Sequence, residues 1–123
     1  MVEYIHLNKT AILIRAAVRI GAMIGRAEEM EIDCLSRYGE KIGLAFQIAD
    51  DILDETSSDD VLGKPTGSDL KRHKLTYPAV HGMETARKRV MELTREAVAE
   101  LDPLSRDTAA LRAIANHLMK REY

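Results

Sequence analysis

The sequence predicts an all-α protein, and three observations support this. Apolar residues recur with helical spacing along most of its 123 residues, and no segment alternates between apolar and polar residues with a period of two. Hydrophobic residues make up 46% of the chain and aromatic residues only 4%, a composition typical of aliphatic helix packing. The length suits one compact domain, which we expect to cover residues 1–123.

The overall charge and the single cysteine disfavour several classes of protein. A formal net charge of -2 and the absence of tryptophan argue against a nucleic-acid binder, which needs basic patches and stacking aromatics. Cys34 is the only cysteine, so an internal disulfide is excluded, and we interpret it as a small structural residue in a reducing cytoplasm. We find neither a signal peptide nor a bilayer-spanning run, and therefore expect a soluble, cytoplasmic protein.

The first predicted helix covers residues 8–25. Arg15 and Arg19 form its one polar stripe, so we expect most of its remaining surface to be buried. Lys9 and Thr10 lie in its first turn, where free backbone N–H groups attract anions. These two residues indicate either an anion site or simply a solvated lysine at the start of a helix.

A second, longer helix is predicted from about Glu28 to Glu55, with a break near Asp33 left open. A helical wheel separates a wide apolar arc from a narrow stripe of small and polar residues. The stripe consists of Ser36, Gly39, Gly43, Gln47, Asp50 and Asp54. A glycine inside a helix lowers stability by about 1 kcal/mol relative to alanine. Two glycines in one stripe therefore indicate that side chains there would occupy space needed for something else. The glycines either face a cavity or allow a neighbouring helix to pack closely.

Three carboxylates, Asp50, Asp51 and Asp54, interrupt the apolar run at the end of this helix. Aspartate is a poor helix former and is almost never buried without a partner. Hard cations prefer carboxylate oxygens, so the cluster predicts a magnesium site. The loop that follows contains Lys64 and Lys74 together with two glycines, and could neutralise and enclose a diphosphate. The alternative is a solvated loop of mixed charge.

Three further helices are predicted in the C-terminal part. Thr76 begins a short one, the next covers residues 84–102 and ends at Pro103, and Asp107 or Thr108 caps the last. The residues expected to face inward are Val90, Leu93, Thr94, Ala97, Val98 and Leu101 in the longer helix, and Leu111, Ile114, Ala115 and Leu118 in the last.

Five short motifs occur together in an order and spacing that resembles the trans-isoprenyl diphosphate synthases, and among these the bacterial farnesyl diphosphate synthases. They are Asn8-Lys9-Thr10, Phe46-Gln47, Asp50-Asp51-Ile52-Leu53-Asp54, Leu62-Gly63-Lys64 and Lys74-Leu75-Thr76-Tyr77-Pro78. The resemblance covers nearly the whole chain. It implies a C-terminal part of the helical bundle of the isoprenoid synthase fold. It also implies a prenyltransferase that joins isopentenyl diphosphate to an allylic diphosphate, giving farnesyl diphosphate by Mg²⁺-assisted ionisation.

The resemblance further implies roles for individual residues. Those implied to bind the metal, Mg²⁺ or alternatively Mn²⁺, are Asp50, Asp51 and Asp54. Those implied to contact the diphosphates and to steady the allylic cation in catalysis are Lys9, Thr10, Lys64 and Lys74. Gln47 is implied to bind substrate in the same cavity.

The chain differs from the family pattern because several of the family's motifs are not found in it. The first aspartate-rich motif and the basic residues that bind isopentenyl diphosphate lie upstream of the matched region in family members. We therefore expect the chain to be inactive by itself, the full-length enzyme to be a homodimer, and uncovered apolar faces to favour self-association. Two alternatives are a non-catalytic helical module that binds metal and diphosphate, and a geranylgeranyl- or octaprenyl-type synthase. A third is a structural fragment whose site is unformed.

Overall fold

The computed structural model describes residues 10–57 and 76–120, and every regular element in these two ranges is a helix, as predicted. The helices are α1 (Ile12–Ile24), α2 (Glu29–Ser57), α3 (Tyr77–His81), α4 (Met83–Leu101) and α5 (Ala109–Lys120). None of the helices in these ranges has both the length and the apolar character needed to cross a bilayer.

The central element is α2, whose 29 residues extend about 43 Å at ~1.5 Å per residue. It runs without a break at Asp33, which answers the question that the sequence left open. The backbone N–H of Glu28 donates to Oε1 of Glu31 at 2.9 Å, the reciprocal half of a capping box, so a side chain from the first turn fixes the helix start. The helix packs mainly against α4 and α1.

The hydrophobic core lies mainly between α2 and α4. The residues that these two helices bury include Leu35, Tyr38, Ile42, Ala45, Ile48, Ala49 and Ile52 from α2, and Ala86, Val90, Leu93, Thr94, Ala97 and Leu101 from α4. The predicted inner face of α4 is therefore confirmed, with Val98 half-buried at its edge. The hydroxyl of Thr94 donates to the carbonyl of Val90 at 2.6 Å, so this buried polar group has a partner.

On another side of α2, helix α1 crosses at two glycines. A Cβ added to Gly43 would lie 2.5 Å from the Cα of Ala11, and one added to Gly39 would lie 2.9 Å from the Cα of Arg15. The two backbones thus approach closely because side chains are absent. This settles the open alternative in favour of close helix packing, and a cavity beside the glycines is ruled out.

The two arginines of α1 reinforce this crossing. Arg15 pairs with Glu40 at 2.9 Å, and the guanidinium of Arg19 donates to the hydroxyl of Ser36 at 2.6 Å. The prediction that most of α1 is buried is wrong, because α1 contacts no other described helix than α2 and buries only Ala22 between residues 12 and 24. The large side chains left exposed are Ile12, Leu13, Ile20, Met23 and Ile24.

The turn after α1 is a Schellman motif. The N–H of Ala27 donates to the carbonyl of Ala22 at 2.9 Å, and that of Arg26 donates to Met23 at 3.0 Å. Gly25 is the C-cap, but the left-handed residue is Arg26 with φ 57°. A non-glycine residue in this conformation needs support from its surroundings.

That support comes from Arg106, in the connection between α4 and α5. Its guanidinium donates to the carbonyl oxygens of Gly25 at 2.8 Å and Arg26 at 3.0 Å, and to Oε2 of Glu31 at 2.8 Å. One side chain therefore joins the end of α1 to the start of α2.

The C-terminal helices follow the predicted capping pattern. The hydroxyl of Thr76 accepts from the N–H of Ala79 at 3.2 Å at the start of α3, and Oδ1 of Asp107 accepts from the N–H of Ala109 at 3.0 Å at the start of α5. Gly82, with φ 91°, separates α3 from α4 in a conformation that suits glycine.

The inner face of α5 is narrower than predicted. Ala115 and Leu118 are buried and Leu111 is half-buried, but Ile114 is 51% exposed. Ile114 lies about 60° from Leu111 around the helix, on the side away from Ala115, so it falls at the edge of the contact.

Candidate metal and diphosphate site

The polar half of the α2 stripe lies beyond the crossing with α1. Asp50 and Asp54 are one turn apart on the same face, and both are exposed. Gln47, one turn earlier, is half-buried, and Gly43 before it is covered by α1. The stripe predicted from sequence therefore divides into a glycine half that packs against a helix and a polar half that is accessible to a ligand.

The end of α2 is electrostatically unusual. Its last turn contains Asp54 and Glu55 and no basic residue. The C-terminal end of a helix carries partial negative charge, so carboxylates there are unfavourable and a cation is favoured. A cation bound at this end of α2 would therefore be stabilised by the helix dipole and by the carboxylates together.

Asp51 has a different environment from the other two aspartates. It is half-buried, and its Oδ2 accepts from the backbone N–H of Tyr77 at 3.2 Å. Tyr77 is the first residue of α3, and N–H groups in the first turn of a helix have no partner within that helix. Asp51 therefore ties the start of α3 to α2, a contact that sequence reasoning missed because 26 residues separate the two positions.

The carboxylates can be tested against the chemistry of Mg²⁺. Within residues 10–57 and 76–120, no three His, Cys, Asp or Glu side chains are grouped so that they could hold a metal ion. Mg²⁺ is usually bound through one or two carboxylates together with phosphate and water oxygens. Asp50 and Asp54 fit a Mg²⁺ ion shared with a diphosphate, and do not form an all-protein cage. Mn²⁺ accepts the same oxygen ligands.

The start of α1 lies near this region. Thr10 is the first described residue, and it is half-buried. Ala11 packs on Gly43, one turn before Gln47, so Thr10 enters the fold near the polar half of the stripe.

Three of the predicted site residues, Lys9, Lys64 and Lys74, lie outside the described residues. Their contacts with a diphosphate stay predictions.

One large apolar side chain beside the candidate site is exposed. Phe46 follows the apolar periodicity of α2, yet 37% of it is exposed. It lies four residues before Asp50, hence on the same face of the helix, and this i, i+4 spacing is the signal that could have shown it. An apolar ring thus lies next to the carboxylate pair.

Comparison with known proteins gives a consistent result. The sequence profile of the family described as polyprenyl synthetase matches residues 2–114. The chain is 45% identical to farnesyl diphosphate synthase of Escherichia coli K12 over 123 residues, and 42% identical to the mitochondrial geranylgeranyl pyrophosphate synthase 6 of Arabidopsis thaliana over 121 residues. These alignments cover 97% and 98% of this chain.

A solved structure has the same fold. A crystal structure of a protein assigned as a farnesyl-diphosphate synthase from Marinomonas sp. MED121 superposes with a TM-score of 0.75 at 32% identity, over 96% of this chain and 39% of the other. The chain likewise spans 41% of the E. coli relative and 36% of the Arabidopsis relative. The family match covers far more than half of the sequence, and the superposition accounts for the all-helical architecture, so this chain belongs to the polyprenyl synthetase family.

Proposed function

We propose that this chain provides one metal–diphosphate clamp of a prenyltransferase that condenses isopentenyl diphosphate with an allylic diphosphate. The observation that carries the proposal is the exposed pair Asp50 and Asp54 at the negative end of a long helix. Asp54 lies in the last turn of α2, where a cation is favoured, and Asp50 lies one turn earlier on the same face, so a divalent cation bound by both would suit this end of the helix.

The residues would divide the work as follows. Asp50 and Asp54 would hold Mg²⁺, which when bound supplies positive charge that stabilises the departing diphosphate. Thr10 and Gln47 would contact substrate near the start of α1, and Lys9, Lys64 and Lys74 would neutralise the remaining phosphate charge. Phe46 would give an apolar wall that keeps water from the allylic cation. Asp51, the third predicted metal ligand, would also act as a positioning residue, because its Oδ2 fixes α3 against the end of α2.

For the product we propose farnesyl diphosphate, with geranylgeranyl diphosphate as the second candidate. The relatives named for the two products are almost equally similar to this chain, at 45% and 42% identity. The comparison therefore supports the reaction class more strongly than the length of the prenyl product. Product analysis of the full-length protein by chromatography, with geranyl and isopentenyl diphosphates as substrates, would distinguish the two.

The binding step can be tested on this chain directly. We expect titration calorimetry with MgCl₂ and inorganic pyrophosphate to detect metal-dependent pyrophosphate binding. The double variant Asp50→Asn/Asp54→Asn should weaken it at least ~10-fold, equivalent to about 1.4 kcal/mol. Asp33→Asn is the matched control, since Asp33 is an exposed aspartate on the same helix, far from the pair. Absence of binding to the wild-type chain, or equal loss in Asp33→Asn, would refute the assignment.

A non-catalytic module that binds metal and diphosphate is the second candidate function. Pyrophosphate binding without prenyl transfer is expected of the isolated chain under both proposals. The deciding measurement is therefore the condensation rate of the full-length protein, where Asp50→Ala should lower the rate by about 100-fold or more if the pair acts in catalysis.

Two further expectations belong to this proposal. A homodimeric full-length enzyme and a cytoplasmic location stay predictions. The compartment needs its own measurement, for example by cell fractionation, because similar proteins include ones named as mitochondrial and chloroplastic.

A further inference from the structure

The crossing of α1 and α2 also determines where α1 begins relative to the polar half of the stripe. The backbone of Arg15 lies against Gly39, and the backbone of Ala11 lies against Gly43. Four residues back along α1 therefore correspond to four residues forward along α2, so the two helices run in opposite directions where they cross. As a result, the start of α1 points towards the polar half of the stripe.

Thr10 is the residue whose place depends most directly on this crossing. It precedes Ala11, which is completely buried, and is itself half-buried. On the other helix, Gln47 follows Gly43 by one turn on the same face. The separation between the backbone of Ala11 and α2 therefore sets how far Thr10 lies from the polar half of the stripe.

A side chain at residue 43 would change that separation. A Cβ on Gly43 would meet the Cα, the Cβ and the carbonyl oxygen of Ala11 at 2.5, 2.9 and 3.3 Å. Two of these are backbone atoms, which cannot rotate aside as the end of a flexible side chain does. Ordinary van der Waals contact begins at 3.4 Å, so the backbone of Ala11 would have to move away from α2 by about 1 Å, and Thr10 with it.

Gly39 differs from Gly43 in both respects that matter. A Cβ there would lie 2.9 Å from the Cα of Arg15, so a shift of about half as much would relieve the contact. Arg15 is also more than one turn further from Thr10, and the contact at Gly43 lies between them. The same crossing therefore contains one glycine that controls the place of Thr10 and one that affects it weakly.

We propose that Gly43 is a positioning residue for the diphosphate. Because it has no side chain, it holds Thr10 close enough to the polar half of the stripe to contact a diphosphate whose cation is bound by Asp50 and Asp54. The inference rests on the proposed function, which assigns Thr10 to substrate, and it adds a residue that α1 covers and that touches no ligand. A displacement of about 1 Å is enough to disturb such a contact strongly.

Titration of the 123-residue chain with inorganic pyrophosphate in the presence of MgCl₂ tests the proposal. We expect Gly43→Ala to weaken pyrophosphate binding ~10-fold, because Thr10 is displaced. Gly39→Ala is the matched control. It should also lower stability but weaken binding less than ~2-fold, because α1 can pivot on the contact at Gly43. Circular dichroism and urea denaturation would show that each variant is folded during the titration.

A double-mutant cycle tests whether Gly43 acts through Thr10. Thr10→Val removes the hydroxyl and keeps the shape of the side chain. In that background, Gly43→Ala should weaken pyrophosphate binding less than ~2-fold further, because the contact that it displaces is already lost. A purely structural effect of Gly43→Ala would instead add to that of Thr10→Val in full.

A second variant reaches the same contact from α1. Ala11→Val adds volume against Gly43, so it should weaken pyrophosphate binding in the same direction even if Gly43→Ala does not fold. Ala17→Val is its control, because Ala17 is exposed on the same helix and the substitution has the same effect on helix propensity.

The outcomes separate this inference from the proposed function. A wild-type chain that does not bind pyrophosphate would refute the proposed function, and the inference with it. Binding by the wild type that Gly43→Ala and Ala11→Val leave unchanged would overturn the inference alone. Equal weakening by Gly39→Ala, or a full ~10-fold effect of Gly43→Ala in the Thr10→Val background, would do the same.

Discussion

The two long sides of α2 are packed by different means. Towards α4, side chains such as Ile48 and Ile52 fill the space between the helices. Towards α1, Gly39 and Gly43 have no side chains, so the backbones of α1 and α2 approach each other directly. Substitutions that remove side-chain volume should therefore weaken the contact with α4, and substitutions that add side-chain volume should weaken the contact with α1. Opposite kinds of substitution should break the two contacts.

The largest effect is expected on the α4 side. Ile48 is fully buried, and Ile48→Ala would remove apolar contacts and leave a cavity, which should lower the free energy of unfolding by about 3 kcal/mol. Urea denaturation followed by circular dichroism would measure it. The control is Ile114→Ala at the exposed edge of α5, where a loss below about 1 kcal/mol is expected. Equal losses at both positions would contradict the packing described for this side.

On the α1 side, adding a single methyl group should be harmful. Gly43→Ala would bring a Cβ within 2.5 Å of the Cα of Ala11, so α1 would have to move away, at a cost of about 2 kcal/mol.

Gly21→Ala provides the matched control, because a Cβ on Gly21 meets nothing within 4 Å. It should stabilise the chain by about 1 kcal/mol, since alanine favours the helix. In the same denaturation experiment, Gly43→Ala should therefore lower the free energy of unfolding and Gly21→Ala should raise it. Stabilisation by Gly43→Ala would refute the close crossing.

A smaller effect is expected where α5 joins α2. The hydroxyl of Tyr38 donates to the carbonyl of Leu111 at 2.7 Å, and burial raises the pKa of Tyr38 to about 12. Tyr38→Phe should cost about 1 kcal/mol at neutral pH.

The same tyrosine gives a pH dependence. In the unfolded chain it ionises near its ordinary pKa of 10.0, while the folded chain holds the proton to about 12. Folding stability should therefore fall between these two values as pH rises. The difference in stability between wild type and Tyr38→Phe should shrink over that window. A constant difference would contradict the raised pKa.

The smallest expected effect is at the junction of α1 and α2. Hydrogen bonds from the N–H of Glu28 and then from Arg106 lower the pKa of Glu31 below its usual 4.5. The ionised carboxylate therefore contributes stability above pH 4.5, and this is lost as pH falls through the lowered folded-state pKa. Glu31→Gln should reduce the acid sensitivity of unfolding, which urea denaturation at a series of pH values would measure; an unchanged acid sensitivity would contradict the lowered pKa of Glu31.

Much of the fold could be predicted from local patterns. The number of helices in the described ranges, the continuous inner face of α4 and the caps at Thr76 and Asp107 all depend on residues within one or two turns of each other. Helical periodicity and capping are local properties, so sequence reasoning reaches them.

The errors have a common cause. The burial of α1 was overestimated because periodicity shows that a helix face is apolar, and does not show whether another element covers it. The predicted burial of Ile114 is wrong for a related reason, because the width of the buried face of a helix depends on the helix that packs against it. The contact between Asp51 and Tyr77 joins residues 26 positions apart, and that between Arg106 and Glu31 joins residues 75 apart. No local pattern signals such pairs.

The sequence by itself determined that this chain is helical, that its carboxylates gather at the end of α2, and that glycines interrupt the same stripe. Only the tertiary structure decided what those glycines are for, because the close approach of Ala11 and Arg15 depends on how α1 crosses α2. It also separated the exposed Asp50 and Asp54 from Asp51, which holds α3. A helix specifies the direction of each side chain, but the element that meets it comes from a distant part of the chain.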